Sequence, residues 1–192
     1  MKTPPVIAIA FATGALLSAC TTDRTVAVNT VTPVPATTVV MGAPARPFNA
    51  VDTDFILTAA SANMFEIGAS QMAPKHTSSA DVLQLAGMMN RDHTQAMNEL
   101  IAMMRARGMA VPQDMSPDKQ RLMDKLATNR GADFDQVYVM QAGVQTHEAD
   151  IAAFQQRLAV LSDPELKAWV TRNLTPMQQH LDMARQIAAK LG

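Results

Sequence analysis

Apolar residues recur at alternating spacings of three and four from Asp52 almost to the end of the chain. This period is typical of amphipathic helices that bury one face. Interruptions of the pattern divide the segment into four long predicted helices, at about 53–73, 79–107, 133–160 and 162–190. A short connector helix is predicted between the second and third, from Ser116-Pro117 to about residue 130.

Capping residues and helix breakers set the predicted ends. Asp52 is the candidate N-cap of the first helix, and Pro74 is its expected stop. Gly108 is the expected C-terminal stop of the second helix. Two residue pairs have the spacing of a capping box, Ser78 with Asp81 and Ser162 with Glu165.

Each long helix carries a single apolar seam, which we define as its stripe of residues spaced by three and four. Seams of this kind pack into a left-handed antiparallel bundle. About 140 residues are enough to bury such a core. We therefore expect an all-α fold, an antiparallel four-helix bundle with the connector helix between the second and third long helices.

A residue with metal-ligand chemistry interrupts each seam near its middle: Glu66, His93, His147 and His180. With a rise of ~1.5 Å per residue, the three imidazoles of an antiparallel bundle reach the same level within a few ångströms. Together they would repel one another when protonated and need several partners when neutral. A shared metal ion or a polar network would satisfy them, and both interpretations stay open.

Glu66 and two methionines are predicted to lie about one turn from the histidine level. By the same count of residues, Glu66 matches Met89 more closely than His93, and Met177 lies on the corresponding side of His180. Three imidazoles with a carboxylate are suited to zinc or Cu(II), whereas thioethers favour Cu(I). The remaining histidine, His76, is expected to be a solvated loop residue.

Small residues and a proline near these positions leave room for a site. Gly143 is one turn from His147, and Gly68 is close to Glu66. Pro176 cannot donate a backbone hydrogen bond, so a bend is expected in the fourth long helix. Close helix packing explains the glycines equally well.

The first twenty residues predict export and lipid attachment. A single cation, Lys2, precedes an apolar stretch at 6–17, which is typical of a signal peptide and shorter than the ~20 residues that span a bilayer. Residues 17–20 read Leu-Ser-Ala-Cys and resemble the lipobox of bacterial lipoproteins, which implies removal of residues 1–19 and acylation of Cys20. Thr21, rather than Asp, resembles the sorting pattern for the periplasmic face of the outer membrane.

Residues 20–51 are expected to be a disordered tether, because they are rich in Thr, Val, Pro and Ala and lack helical periodicity.

The composition of the whole chain argues against some functions. Its formal net charge of −1 does not indicate the basic surface that nucleic-acid binding requires. The chain has one Cys, so an intramolecular disulfide is impossible. Its 15 Met are interpreted first as flexible core residues, with metal binding as the alternative.

Several short motifs together resemble the domain of unknown function 4142 family. They are Asp54-Phe55, Glu66-Ile67-Gly68, Asp92-His93, Phe134-Asp135 with Tyr138, His147, and Pro176 with His180. The resemblance covers about residues 52–190 and implies a ferritin-like four-helix protein of the bacterial envelope, often a lipoprotein, without an established activity. Asp92 and Tyr138 join Met89 and Met177 as candidates for a second layer around the site.

The ferritin analogy does not extend to a di-iron centre, which uses two Glu-x-x-His motifs. The residue three before His93 is Asn90, and the residue three before His180 is Met177. The leading expectation is a non-enzymatic envelope module that binds a metal ion or small ligand. A metal-dependent enzyme using Glu66 and the histidines, and a purely structural protein, are the alternatives.

Overall fold

The computed structural model describes residues 46–191, and every regular element in this range is helical. The predicted all-α class is therefore confirmed. None of the described helices is both long and apolar enough to cross a bilayer. The elements are α1 (Ala50–His76), α2 (Ala80–Ala106), α3 (Pro117–Ala127), α4 (Gly131–Val137), a π-helical segment (Tyr138–Thr146), α5 (His147–Leu158) and α6 (Pro164–Leu191).

The helices pack around one apolar core. α1 packs along α2, α6 packs against α2, α5 and the π-helical segment, and α3 covers part of α1. Removing large apolar side chains from water contributes ~1.5–3 kcal/mol each and is the main stabilising term. The largest side chains in the core are Trp169, Tyr138, Phe65, Phe134 and Ile56.

The predicted caps of α1 and α6 are wrong in detail. Asn49, not Asp52, caps α1, because its side chain accepts from the backbone N–H of Asp52 at 2.8 Å. Asp52 is buried and accepts instead from the N–H and hydroxyl of Ser162, at 2.9 and 2.6 Å. Asp163 accepts from the N–H of Leu166 at 2.9 Å and so takes the capping role expected of Ser162. Asp52 thereby joins the start of α1 to the start of α6.

The predicted start and end of α2 are closer to the structure. Ser79, rather than Ser78, is the N-cap and accepts from the N–H of Val82 at 3.4 Å. Gly108 has φ +67° just beyond the helix, a conformation that glycine adopts without strain. The expected stop of α2 therefore lies at the correct residue.

α1 runs past Pro74 and ends at His76, so the predicted stop is wrong. A proline near a helix end removes one backbone hydrogen bond, and the N–H of Thr77 still reaches the carbonyl of Ala73 at 3.0 Å. His76 is consequently the last helical residue rather than a solvated loop residue. Its Nδ1 lies 2.9 Å from the carbonyl oxygen of Asn129.

The third long helix runs without a break from Gly131 to Leu158, close to the predicted range, but it is not α-helical throughout. It consists of α4, the nine-residue π-helical segment and α5. Gly143, in the π-helical segment, lies against α6, where an added Cβ would be 2.7 Å from the Cβ of Ala184. α6 runs through Pro176, and the bend expected there stays a prediction.

The signal peptide, Cys20 and most of the expected tether lie outside the described residues. The last residues assigned to the tether belong to the helical part, since α1 begins at Ala50. Phe48 packs against the core, and the guanidinium of Arg107 lies 4.4 Å from the centre of its ring.

Candidate metal centre

Three imidazoles meet inside the bundle. His93 comes from α2, His147 is the first residue of α5 and His180 comes from α6. All three are buried, and one ring nitrogen from each lies within 4.8 Å of the other two. Nε2 of His147 is 3.4 Å from Nε2 of His93 and 3.1 Å from Nδ1 of His180. We call these three residues the histidine cluster.

The hydrogen bond on the far side of His147 defines its tautomer. Its Nδ1 lies 2.8 Å from the backbone carbonyl oxygen of Ala142. A carbonyl only accepts, so Nδ1 must carry the proton and donate it. Nε2 of the neutral ring therefore presents a lone pair towards the cluster.

The rings of His93 and His180 are also oriented by hydrogen bonds, each from one ring nitrogen to a side-chain oxygen. Nε2 of His180 donates to Oδ2 of Asp92 at 2.8 Å, and Nδ1 of His93 donates to Oδ1 of Asn63 at 3.0 Å. The amide of Asn63 is itself oriented, since its Nδ2 donates to the carbonyl of Ala59 at 2.8 Å. Three lone pairs consequently converge, each set by a hydrogen bond on the opposite side of its ring.

Burial keeps the three rings neutral. Loss of solvent lowers the pKa of His147 to about 4 and lowers the pKa of His93 well below its usual range, where the two neighbouring imidazoles lower it further. Burial also lowers the pKa of His180, and the hydrogen bond that His180 donates to Asp92 opposes this shift. Neutral imidazole is the form that binds metal ions.

The spacing of the nitrogens on either side of Nε2 of His147 is suited to one ion. Zinc binds imidazole nitrogen at ~2.0–2.1 Å, and tetrahedral angles then separate two ligating nitrogens by about 3.3 Å. The two distances from Nε2 of His147 are 3.4 and 3.1 Å. Without an ion, these lone pairs face one another with no proton between them, which is electrostatically unfavourable. A shared cation would remove that repulsion.

Glu66, a candidate ligand in the sequence analysis, lies outside the group of close ligand atoms that the three histidines form. Its Oε1 is 3.9 Å from Nδ1 of His147, the nitrogen that faces Ala142 rather than the cluster. Neither carboxylate oxygen has a hydrogen-bond partner among the described residues. Burial raises the pKa of Glu66 well above its usual range and so favours the neutral acid.

Two of the expected neighbours form a separate polar layer. The hydroxyl of Tyr138 lies 3.0 Å from Oγ of Ser70 and donates to Sδ of Met89 at 3.6 Å. Burial raises the pKa of Tyr138. Met89 and Tyr138 thus contact each other. Met177, by contrast, lines a cavity beside His93 and His180.

Two partners of the cluster were absent from the sequence-based prediction. Asn63 lies one turn before Glu66, and an amide on a buried helix face is the signal that points to it. The carbonyl of Ala142 has no sequence signal, since any residue provides one. This carbonyl lies in the π-helical segment, five residues before His147.

The fold and the cluster define an all-helical protein with a buried three-histidine centre. Residues 38–187 match the family described as Domain of unknown function (DUF4142). The chain belongs to this family, which confirms the resemblance seen in its motifs. Neither the curated proteins nor the solved structures include a match to the chain.

Proposed function

We propose that the helical domain binds one transition-metal ion, zinc or copper, through Nε2 of His93, Nε2 of His147 and Nδ1 of His180. The observation that carries this proposal is the convergence of three lone pairs, each opposed by a hydrogen bond to a fixed acceptor. A polar network would instead place donors between the rings. Imidazole ligands suit zinc and copper, and Cu(II) binds nitrogen sites more tightly than zinc does.

We also propose that the long helices form a ferritin-like antiparallel four-helix bundle. When α4, the π-helical segment and α5 are taken as one long helix, the domain has the four long helices that such a bundle needs. The packing of α1 with α2, and of α6 with both α2 and α5, supports this arrangement. The donor set differs from a di-iron centre, because the cluster is rich in imidazole and poor in carboxylate.

We also propose that the domain is anchored through Cys20 to the periplasmic face of the outer membrane. The support is the signal-peptide pattern and the Leu-Ser-Ala-Cys sequence at residues 17–20. A binding module is favoured over an enzyme that uses Glu66 as base. The reason is that Oε1 of Glu66 lies 3.9 Å from Nδ1 of His147, the nitrogen that faces Ala142 rather than the cluster.

Titration of metal-free protein with Cu(II) and zinc tests the metal proposal. We expect one ion per chain, bound more tightly than micromolar. His147→Ala should weaken binding strongly, whereas the matched variant His76→Ala should leave it unchanged because His76 is outside the cluster. Binding weaker than micromolar, or equal behaviour of the two variants, would identify the cluster as a structural network.

The single tryptophan provides a second readout in the same experiment. Trp169 is buried and lines the cavity that also contacts His93 and His180. Paramagnetic Cu(II) at the cluster should quench its fluorescence in proportion to occupancy, and diamagnetic zinc should not. Copper bound on the surface would leave the emission largely unchanged.

A further inference from the structure

A small cavity borders the histidine cluster on one side. The rings of His93 and His180 form part of its wall, together with Met177, Phe154 and Trp169. Its volume is ≈ 20 Å³, and a cavity needs about 10–15 Å³ to hold a water molecule. An ion held by the three imidazoles would therefore have adjacent space for one very small molecule.

Protein carboxylates near this space are committed to other partners. Asp92 accepts from Nε2 of His180, on the side of that ring away from the cluster. Asp150, also on the cavity wall, lies 3.5 Å from Nζ of Lys119. Glu66 faces the opposite side of His147. Among the described residues, only His93, His147 and His180 bring potential ligand atoms of His, Cys, Asp or Glu close enough together to hold one metal ion.

Three protein ligands with an open fourth position distinguish reactive zinc sites from closed structural ones. We propose that the metal centre keeps one coordination position directed into this cavity, and that it binds there a small exogenous ligand of one to three heavy atoms, neutral or singly charged. This inference rests on the proposed metal binding. It assigns the centre to the class of metal sites that have an open coordination position, where a bound ligand can be exchanged.

The cavity walls determine the size and polarity of that ligand. Phe154 and Trp169 pack with ring centres 5.6 Å apart, and the backbone carbonyl of Ala96 accepts from Nε1 of Trp169 at 3.2 Å. These contacts form the aromatic wall of the cavity. Because Met177 and the alanines Ala62 and Ala96 add apolar surface, a ligand with high charge would lose part of its hydration on entering.

A surface groove provides an access route between α2 and α6. The cavity shares Asp92, Asn173 and Pro176 with this groove. The side chain of Asp92 is 36% exposed to solvent. A small molecule can therefore approach past Asp92 and Pro176. On the α3 side, Asp150 borders both the cavity and a second surface groove, and its carboxylate is paired with Lys119.

Azide titration of the Cu(II)-loaded protein tests the open position. Azide should produce a new charge-transfer absorption band and a change in the EPR spectrum while copper stays bound at one per chain. Imidazole is the size control, because its five-atom ring exceeds the cavity and should leave the spectrum unchanged. If copper binds but azide changes neither spectrum, the inference fails and the proposed metal binding stands. If copper does not bind, both fail.

A cavity-filling variant locates the ligand. Ala62→Leu should place its side chain in the cavity and weaken azide binding by at least about tenfold, with copper affinity close to wild type. Ala102→Leu is the matched control, since Ala102 is exposed on α2. Ala62→Val fills less space and serves if the leucine variant does not fold. Unchanged azide affinity in a folded Ala62 variant would overturn the assignment of the ligand to this cavity.

Discussion

The side chain of His147 satisfies the backbone carbonyl of Ala142, five residues earlier, through a hydrogen bond of 2.8 Å from Nδ1. The backbone N–H of His147 is directed elsewhere, to the carbonyl of Val144. The carbonyl of Ala142 is thus available to a side chain where the π-helical segment gives way to α5. π-helical turns are often found at functional sites, and here one orients a candidate metal ligand.

The residues that orient the rings should matter for metal binding although they do not touch the ion. Asp92→Ala removes the acceptor of His180 and should lower Cu(II) and zinc affinity by about 10–100-fold. The helical content should be retained. The matched control is Asp81→Ala, which removes another carboxylate of α2, paired with Lys190 at the surface. Calorimetric titration of both variants checks the difference, and equal affinities would contradict the orienting role of Asp92.

Acid should destabilise the metal-free protein through the histidine cluster. In the fold, burial lowers the pKa of His147 to about 4, while the unfolded value is 6.5. The unfolded state therefore binds more protons, and stability falls as pH decreases from 6.5 towards 4. Between pH 7 and pH 5, this group alone should remove about 2 kcal/mol.

Chemical denaturation with a chelator present measures this loss. His147→Gln should have a shallower pH dependence than wild type over that interval, because the variant lacks the titrating ring. His76→Gln should keep the wild-type slope, since His76 lies at the end of α1, away from the cluster. A wild-type slope in His147→Gln would show that this ring is not buried as a neutral group.

The buried carboxyl group of Glu66 should destabilise the fold rather than bind the metal ion. Its pKa is raised in the fold, so stability is lost as pH rises above the unfolded value of 4.5 towards the folded one. Glu66→Met removes a buried carboxyl that has no hydrogen-bond partner among the described residues and should raise the free energy of unfolding at neutral pH by about 1–3 kcal/mol. Urea denaturation measures this gain. Zinc affinity should stay unchanged, and a large loss would return Glu66 to the ligand set.

The contact between the π-helical segment and α6 should tolerate no added methyl group. In Gly143→Ala the new Cβ would lie 2.7 Å from the Cβ of Ala184, so a helix must shift. We expect a loss of about 1–3 kcal/mol, measured by thermal unfolding. Gly87→Ala is the control, because the nearest atom to its added Cβ is a terminal nitrogen of Arg91 at 3.9 Å. This variant should gain about 0.5–1 kcal/mol from helix propensity, and a loss equal to that of Gly143→Ala would contradict the steric explanation.

Lipid attachment should depend on Cys20. Cys20→Ser removes the thiol that would be acylated, and the variant should lose acyl labelling and appear as a soluble periplasmic form. Membrane fractionation after metabolic labelling with a fatty acid checks this outcome. A labelled, membrane-bound variant would contradict the lipobox interpretation of residues 17–20.

The sequence alone determined the helical class, the approximate positions of the helices and the histidine positions on their buried faces. Helical periodicity is a local property, so apolar spacing reveals which face turns inward. Helix ends were less predictable, since they depend on distant partners. The carboxylate of Asp52, for example, binds Ser162 instead of capping its own helix.

Only the tertiary structure decided what the histidine cluster contacts. Glu66 shares the periodicity of the histidines, yet it lies on the far side of His147, because position along a seam does not set the direction of a side chain around a neighbouring ring. The π-helical register that frees the carbonyl of Ala142 and the cavity beside His93 and His180 likewise arise where several helices meet. Such features depend on how separate segments pack together, and a periodic pattern within one segment carries no information about that packing.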